Sequence, residues 1–344
     1  MLREYLQVVL EVIGSILAGF SVAALIMSLM GFDPLKGLYL ITFGGLADPD
    51  YLLSRSSLIM MTGLAFSVPA LASAFNIGGE GQMYVGGLVA LAVSLYTPNP
   101  ILPLASGALA GGLVGLIIGA LRAYREVNEV ITAIMMNWTF YYLSIYLITT
   151  YLYNPLAPYR SVSVPEGSRL ATVTLGGVKL HVSFLVSIAL TVAAYFLVYH
   201  TKLGYEIRVS GLSRKSAVYA GINPKRSFTL SMTLGGMFGG LSGALNVIGF
   251  TYYVDQLLTS MYGMGFDGIG VALMGRNNPI GIIFSSIFFS MLLLGGQRMQ
   301  VSMNVPKELT DALSGVIIIS LAMPYAYRML ISYLRVRKVG KDVK

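Results

Sequence analysis

The stretch AFNIGGEGQM at 74–83 sets one carboxylate, Glu80, among glycines, between an apolar run that ends at Phe75 and another that begins near Tyr84. Glycine weakens a regular helix and a carboxylate is costly in hydrocarbon. The decapeptide therefore reads as a break between two membrane segments. What surrounds it supports that reading. The 344 residues are 56% hydrophobic and only 11% charged, with a mean hydropathy of +0.73, whereas soluble domains carry about 25% charged residues. Apolar runs of the ~17–25 residues that cross a bilayer as helices recur from end to end. The composition implies an all-α polytopic membrane protein, a single transmembrane domain over 1–344 without a large soluble part.

Runs bounded by polar residues, proline or glycine place spans near 6–30, 57–75, 81–96, 101–121, 130–152, 182–200, 227–250, 279–298 and 309–330. The first is longer than the ~7–15-residue core of a signal peptide and is expected to be retained. The net charge of +8 comes from Lys and Arg in the connections, not from an aromatic-interleaved patch, so it is read as topology and not as nucleic-acid binding. Loop 201–226 carries Lys202, Arg208, Arg214, Lys215, Lys225 and Arg226, and the tail carries Arg328, Arg335, Arg337, Lys338, Lys341 and Lys344. Both belong in the cytoplasm by the positive-inside rule. An even number of crossings must separate them, so the short segment FDGIGVALMGR at 266–276 is expected to be the tenth span. That parity puts both termini and the Arg122/Arg125 turn inside, and the 31–56 and 153–181 loops outside. The chain then divides into a first half of about 1–152 and a second of about 182–335, with five spans each. An odd number per half makes the repeats inverted, and glycine-rich breaks at corresponding places are the sequence pointer to a transport site between them.

GGEG at 78–81 and GFDG at 265–268 are those breaks, and they carry Glu80 and Asp267. Buried carboxylates tend to face a bundle interior or a water-filled cavity, which makes the two candidates for a solute pathway, together with Asn76, Gln82 and Asn137. These three amides suit sugar hydroxyls or base edges, and equally suit joining helix to helix. The alternative for the carboxylates is a cap at the water interface, since Glu80 precedes a span and acids favour helix N-termini. Gly107, Gly111, Gly115 and Gly119 repeat every four residues, as do Gly235, Gly239 and Gly243, and these stripes are expected to let helices approach closely. GMGFDG at 263–268 spells G-x-G-x-x-G without the βαβ context of a dinucleotide site, and Asn137-Trp138-Thr139 is a sequon in spelling only.

Other chemistries fit less well. With no cysteine, disulfides and thiolate metal sites are excluded; no metal site or bound cofactor is expected. The two histidines, His181 and His200, flank one span and belong on opposite faces, so an intramembrane hydrolase lacks a convergent site; GMGFD is similar in letters to aspartyl intramembrane proteases, but Asp311 has no accompanying motif. An ion-coupled secondary transporter would also use inverted repeats. It would not need TKLGYEIRVSGLSRKSAVYAGINPKRS at 201–227, which reads as short helix, turn, short helix, with Ala217, Val218 and Ala220 offering a small apolar surface.

FNIGGEGQM, EVNEVITAIMMN, LGYEIRVSGLSRKSAVYAGI and FDGIGVALMGRNNP, in this order over about 57–320, resemble the permease subunits of ABC importers in the branched-chain amino acid, ribose and nucleoside group. FNIGGEGQ is similar to the nucleoside and simple-sugar branch. The resemblance implies import of a small hydrophilic solute, with ATP and Mg on a separate ATP-binding cassette subunit. It also implies a second permease subunit, an extracytoplasmic substrate-binding lipoprotein, and a multi-pass place among the lipids of the cell membrane. No G-x-x-x-x-G-K-[ST] occurs in this chain, as expected if energy comes from a partner. In such permeases the cytoplasmic loop couples to the ATPase, and the matching positions are Gly204, Arg208, Gly211, Ala217, Gly221 and Ile222. The sequence departs from the family at Val209 and Leu212-Ser213, where relatives more often carry a small residue and an Asn-containing turn.

Overall fold

The computed structural model describes residues 2–175 and 178–322. The basic tail and the last part of the 309–330 run lie outside the described residues. The helices are α1 Leu2–Leu29, α2 Pro34–Thr42, α3 Pro49–Ala70, α4 Gly79–Ser94, α5 Ile101–Arg125 and α6 Glu129–Thr150. Two short antiparallel hairpins follow, β1 Tyr153–Asn154 with β2 Ala157–Ser161 and β3 Thr172–Leu175 with β4 Val178–His181. Then come α7 Val182–His200, α8 Lys202–Leu212, α9 Arg214–Tyr219, α10 Pro224–Asn246, α11 Met264–Met274, α12 Pro279–Met303 and α13 Lys307–Ala322. Each apolar run read from sequence holds a helix. Among the described residues six, namely α3, α5, α6, α7, α12 and α10 with the π-helical turn that extends it to Thr251, are long and apolar enough to cross a membrane. Gly14–Leu29 and α11 are apolar but shorter. The second span starts and ends earlier than its hydropathy suggests, at Pro49 and Ala70 in place of 57 and 75; Pro49 opens the helix and Ser73, with φ 57°, turns the chain after it.

Two compact units can be described. One contains α1, α2, the end of α12 from Phe289, and α13; within it α1 packs on α13 and α2, and a methyl on Gly295 would collide with the carbonyl oxygen of Ile41. The other, Pro49–Phe288, carries the expected breaks and the basic loop. At its centre α4 and α10 are buried over most of their length. The two glycine stripes do what close helix contact requires, with one refinement. The α5 stripe of Gly107, Gly111 and Gly115 meets α10 at Gly236 and Gly240, while Gly235, Gly239 and Gly243 face α3 and α4 on another side of the same helix. A methyl on Gly240 would run into the carbonyl oxygen of Gly107, and one on Gly243 into that of Met83. α10 is thus a double-faced glycine helix held by van der Waals contact where the hydrophobic effect is absent.

The ends of this unit differ. At one end the close of α5, the turn after α3, α8, α9 and the start of α10 surround a cavity of about 480 Å³ that Arg122, Arg214 and Lys225 line. At the other, Asp50 accepts a hydrogen bond from the Lys179 amide (2.9 Å), and the hairpin segment is zipped to 252–256 by the amide of Ser161 donating to Val254 O and by Arg169 lying over the Tyr252 ring. Loop 201–226 and the Arg122 turn therefore share one end, and the 153–181 segment and the start of α3 share the other.

Candidate functional site

The break at 74–81 exposes backbone groups that no helix satisfies, and in hydrocarbon each must find a partner. Side chains supply them. The Asn76 amide nitrogen donates to the Ala65 carbonyl (2.8 Å), its oxygen accepts from the Gly78 amide (3.0 Å), and it pairs with Gln82 in both directions at 3.2 Å. Asn137, from α6, accepts from the Gly81 amide (2.8 Å) and donates to the Ile77 carbonyl (3.0 Å). Glu80 is 3% exposed and works across the chain. Its carboxylate accepts from the Gly263 amide (2.5 Å), the Gly265 amide (2.7 Å) and the Tyr84 hydroxyl (2.6 Å). It therefore caps the start of α11 from another helix, joining the two breaks 183 and 185 residues apart in sequence. Glycine is required on the far side twice: Gly263 has φ +84°, and a side chain on Gly265 would meet the Glu80 backbone. The cap foreseen at the water interface is a buried one, and it serves α11, not α4.

Asp267 lies in the first turn of α11 and is half-buried. Asn76 and Gln82 point into packing; α10 passes Gln82 at Gly239. Glu80 and Asn137 have a second neighbourhood, a cavity of about 110 Å³ whose walls include Tyr84, Trp138, Tyr141, Tyr262 and Phe266. Tyr141 is the hub of the rings, with centroids 5.7 Å from Tyr84, 5.8 Å from Trp138 and 6.2 Å from Tyr262. The histidines sit at the two ends of the 19-residue α7, about 28 Å apart by helix rise.

The basic loop is built to hold a fixed shape. Thr201 caps α8 by accepting from the Gly204 amide, Ser213 caps α9, and Asn223 with Pro224 opens α10. A methyl on Gly204 would strike the carbonyls that end α7, and one on Gly211 that of Leu71; the Ser73 hydroxyl donates to the Gly211 carbonyl (2.8 Å). Gly221 has φ +74° and open space around it, and the Ile222 amide closes α9 on the Ala217 carbonyl (2.9 Å). The Arg208 guanidinium lies 4.9 Å over the Tyr199 ring. Ala217 is fully buried, so it forms the floor of the loop and not the small apolar surface read from sequence. What the loop presents outward is Leu212, Val218 and Tyr219, the last 92% exposed.

Residues 49–322 match the family model described as branched-chain amino acid transport system / permease component. The chain belongs to this permease family. It is 30% identical to the guanosine ABC transporter permease protein NupP of Bacillus subtilis, over 93% of this chain and 95% of that protein. It is 29% identical to the nucleoside ABC transporter permease protein NupB of Lactococcus lactis over 96% and 95%, and 27% identical to a glucose ABC transporter permease protein of Haloferax volcanii over 89% and 85%. A solved structure, PsaBC from Streptococcus pneumoniae in complex with Fab, aligns over 81% of this chain and 89% of its own at 15% identity, with a TM-score of 0.45, too distant to bear on the architecture.

For the permease, the polar groups chosen from sequence are brought together around the break, with Asp267 one turn away. Sequence reasoning missed the ring cluster and, of the outward trio of the loop, found Val218 but not Leu212 or Tyr219. The cluster had a signal in WTFYY at 138–142, which puts Trp138 and Tyr141–Tyr142 three and four residues apart on one helix face. Leu212 and Tyr219 had no signal beyond being apolar in a basic loop.

Proposed function

We propose that this multi-pass permease is the membrane subunit of an ATP-driven importer that moves a nucleoside, or a simple sugar, into the cytoplasm. The observation that carries the solute is near-full-length similarity to permeases named for guanosine and nucleosides. The loop supports ATP coupling. It is capped at both of its helices, has a buried Ala217 floor, and turns three apolar side chains to solvent where an ATP-binding cassette subunit can seat on them. A secondary carrier has no use for such a surface. Gly204, Arg208, Gly211, Ala217, Gly221 and Ile222 act by shaping the loop, not by touching the ATPase. Glu80, Asn76, Gln82, Asn137 and Asp267 hold the broken helices beside the pathway, and of these Glu80 and Asn137 reach its wall.

The finer arrangement follows from charge. A single domain of ten spans in two inverted halves, about 1–152 and 182–335, with both termini in the cytoplasm, is favoured by the shared end of the Arg122 turn and loop 201–226. A second permease subunit and an extracytoplasmic binding lipoprotein complete the assembly, and ATP and Mg belong to the ATPase. The test is ATP-dependent uptake by vesicles holding the permease with its ATP-binding subunit: labelled nucleosides should accumulate, and glucose uptake without nucleoside uptake would move the solute to the sugar reading. For orientation, Lys215→Cys should be shielded from an impermeant thiol reagent in intact cells while Ser163→Cys reacts. The reverse pattern would invert the topology.

A further inference from the structure

The ring cluster above Glu80 and Asn137 is more than helix packing. Trp138 is 50% exposed, Tyr262 58% and Phe266 50%, and they converge on a place where the buried polar break reaches a cavity wall. Aliphatic side chains would satisfy lipid at least as well. We propose that this cleft stacks the heterocyclic base of the solute, with Trp138 and Tyr141 as the platform and Asn137 and Glu80 as its polar edge.

The lining of the cleft favours a flat aromatic ring. A carboxylate has about four acceptor sites, and Glu80 turns three to Tyr84, Gly263 and Gly265, with the Phe266 amide against the fourth. Asn137 spends one donor and one acceptor on the backbone of the break. Apart from the hydroxyls of Tyr141 and Tyr262 and the Trp138 indole N–H, the polar edge has few free positions, so most of what the cleft offers a solute is ring face. The π-faces are plentiful by comparison, and stacking a base on an aromatic ring is worth ~1–3 kcal/mol regardless of which base it is. Size agrees. About 110 Å³ is well below the ~300–1,000 Å³ of pockets that enclose a whole ligand, so the cleft grips one ring system and leaves the ribose outside. The inference rests on the nucleoside reading above and names the group that this chain recognises.

Trp138 is the only tryptophan in the chain, so its emission reports on the cleft. The assembled importer in lipid nanodiscs is titrated with guanosine, uridine, adenine, ribose and glucose, and the signal of the Trp138→Phe complex is subtracted. The three base-containing compounds should quench saturably, and the two sugars should not. Nucleoside uptake by Trp138→Ala should fall about ten-fold, while Trp138→Phe, which keeps a ring, should retain about half or more. Both variants should melt with the wild type. Nucleoside uptake without quenching, or with Trp138→Ala at full rate, overturns the cleft and leaves the solute intact. Quenching by glucose, or uptake of glucose alone, overturns both.

Discussion

The two glycine-punctuated regions of this permease, the break at 74–81 and the loop at 201–226, look alike as sequence and are opposites as structure. The break is buried and polar, and its polar side chains are matched to backbone groups inside the chain: Glu80 to Gly263 and Gly265, Asn137 to Gly81 and Ile77, Asn76 to Ala65 and Gly78. The loop is exposed, capped within itself, and leaves Leu212, Val218 and Tyr219 in solvent. A region that satisfies its own polar groups is architecture. One that leaves apolar groups uncovered needs a partner to cover them. Mutations should therefore damage the first through folding and the second through assembly.

The largest expected effect is at Glu80. Glu80→Leu strands two backbone amides and a tyrosine hydroxyl away from water, at about 1–3 kcal/mol for each buried unsatisfied group, and should abolish uptake together with most of the folded, inserted protein. Glu80→Gln keeps one acceptor oxygen but turns an NH₂ toward the other amide, so it should lose about 1–3 kcal/mol and part of the uptake. Thermal melting in detergent alongside vesicle uptake measures both. If either variant melts and transports like the wild type, the break is not held by this carboxylate. Gly221→Ala comes next. At φ +74° an L-residue costs about 1–2 kcal/mol, and the open space around it means that nothing else should change. A loss much beyond that would mean that the loop is packed more tightly than its surroundings show. The smallest effect on stability belongs to Tyr219→Asp, at a side chain 92% exposed. The melting temperature of the isolated permease should stay put while copurification of the ATPase and uptake are lost. Normal copurification would remove the outward face of α9 from the coupling surface.

Much of the fold was legible because membrane helices announce themselves by length and hydropathy. The glycine stripes were legible for the same reason: spacing of four puts them on one face. Their pairing was not, because Gly236 and Gly240 form the face that meets α5 while 235, 239 and 243 meet α3 and α4, and sequence periodicity does not say which of two faces meets which neighbour. At the site, Asn76, Glu80, Gln82 and Asn137 stood out as polar residues in apolar surroundings. Their partners did not, since Gly263 and Gly265 offer only backbone amides, which carry no side-chain signature. Ala217 was read as surface because a small apolar residue in a basic loop looks the same whether it faces in or out.

The carboxylate of Glu80 joins two helix breaks, and hydrogen exchange at the amides of Gly263 and Gly265 tests that most directly. In the wild-type permease both amides should be protected, and Glu80→Gln, which stays folded, should release at least one of them while amides in the middle of α10 keep their protection. Rapid exchange at 263 and 265 in the wild type, or protection at both that survives the loss of the carboxylate, would contradict it.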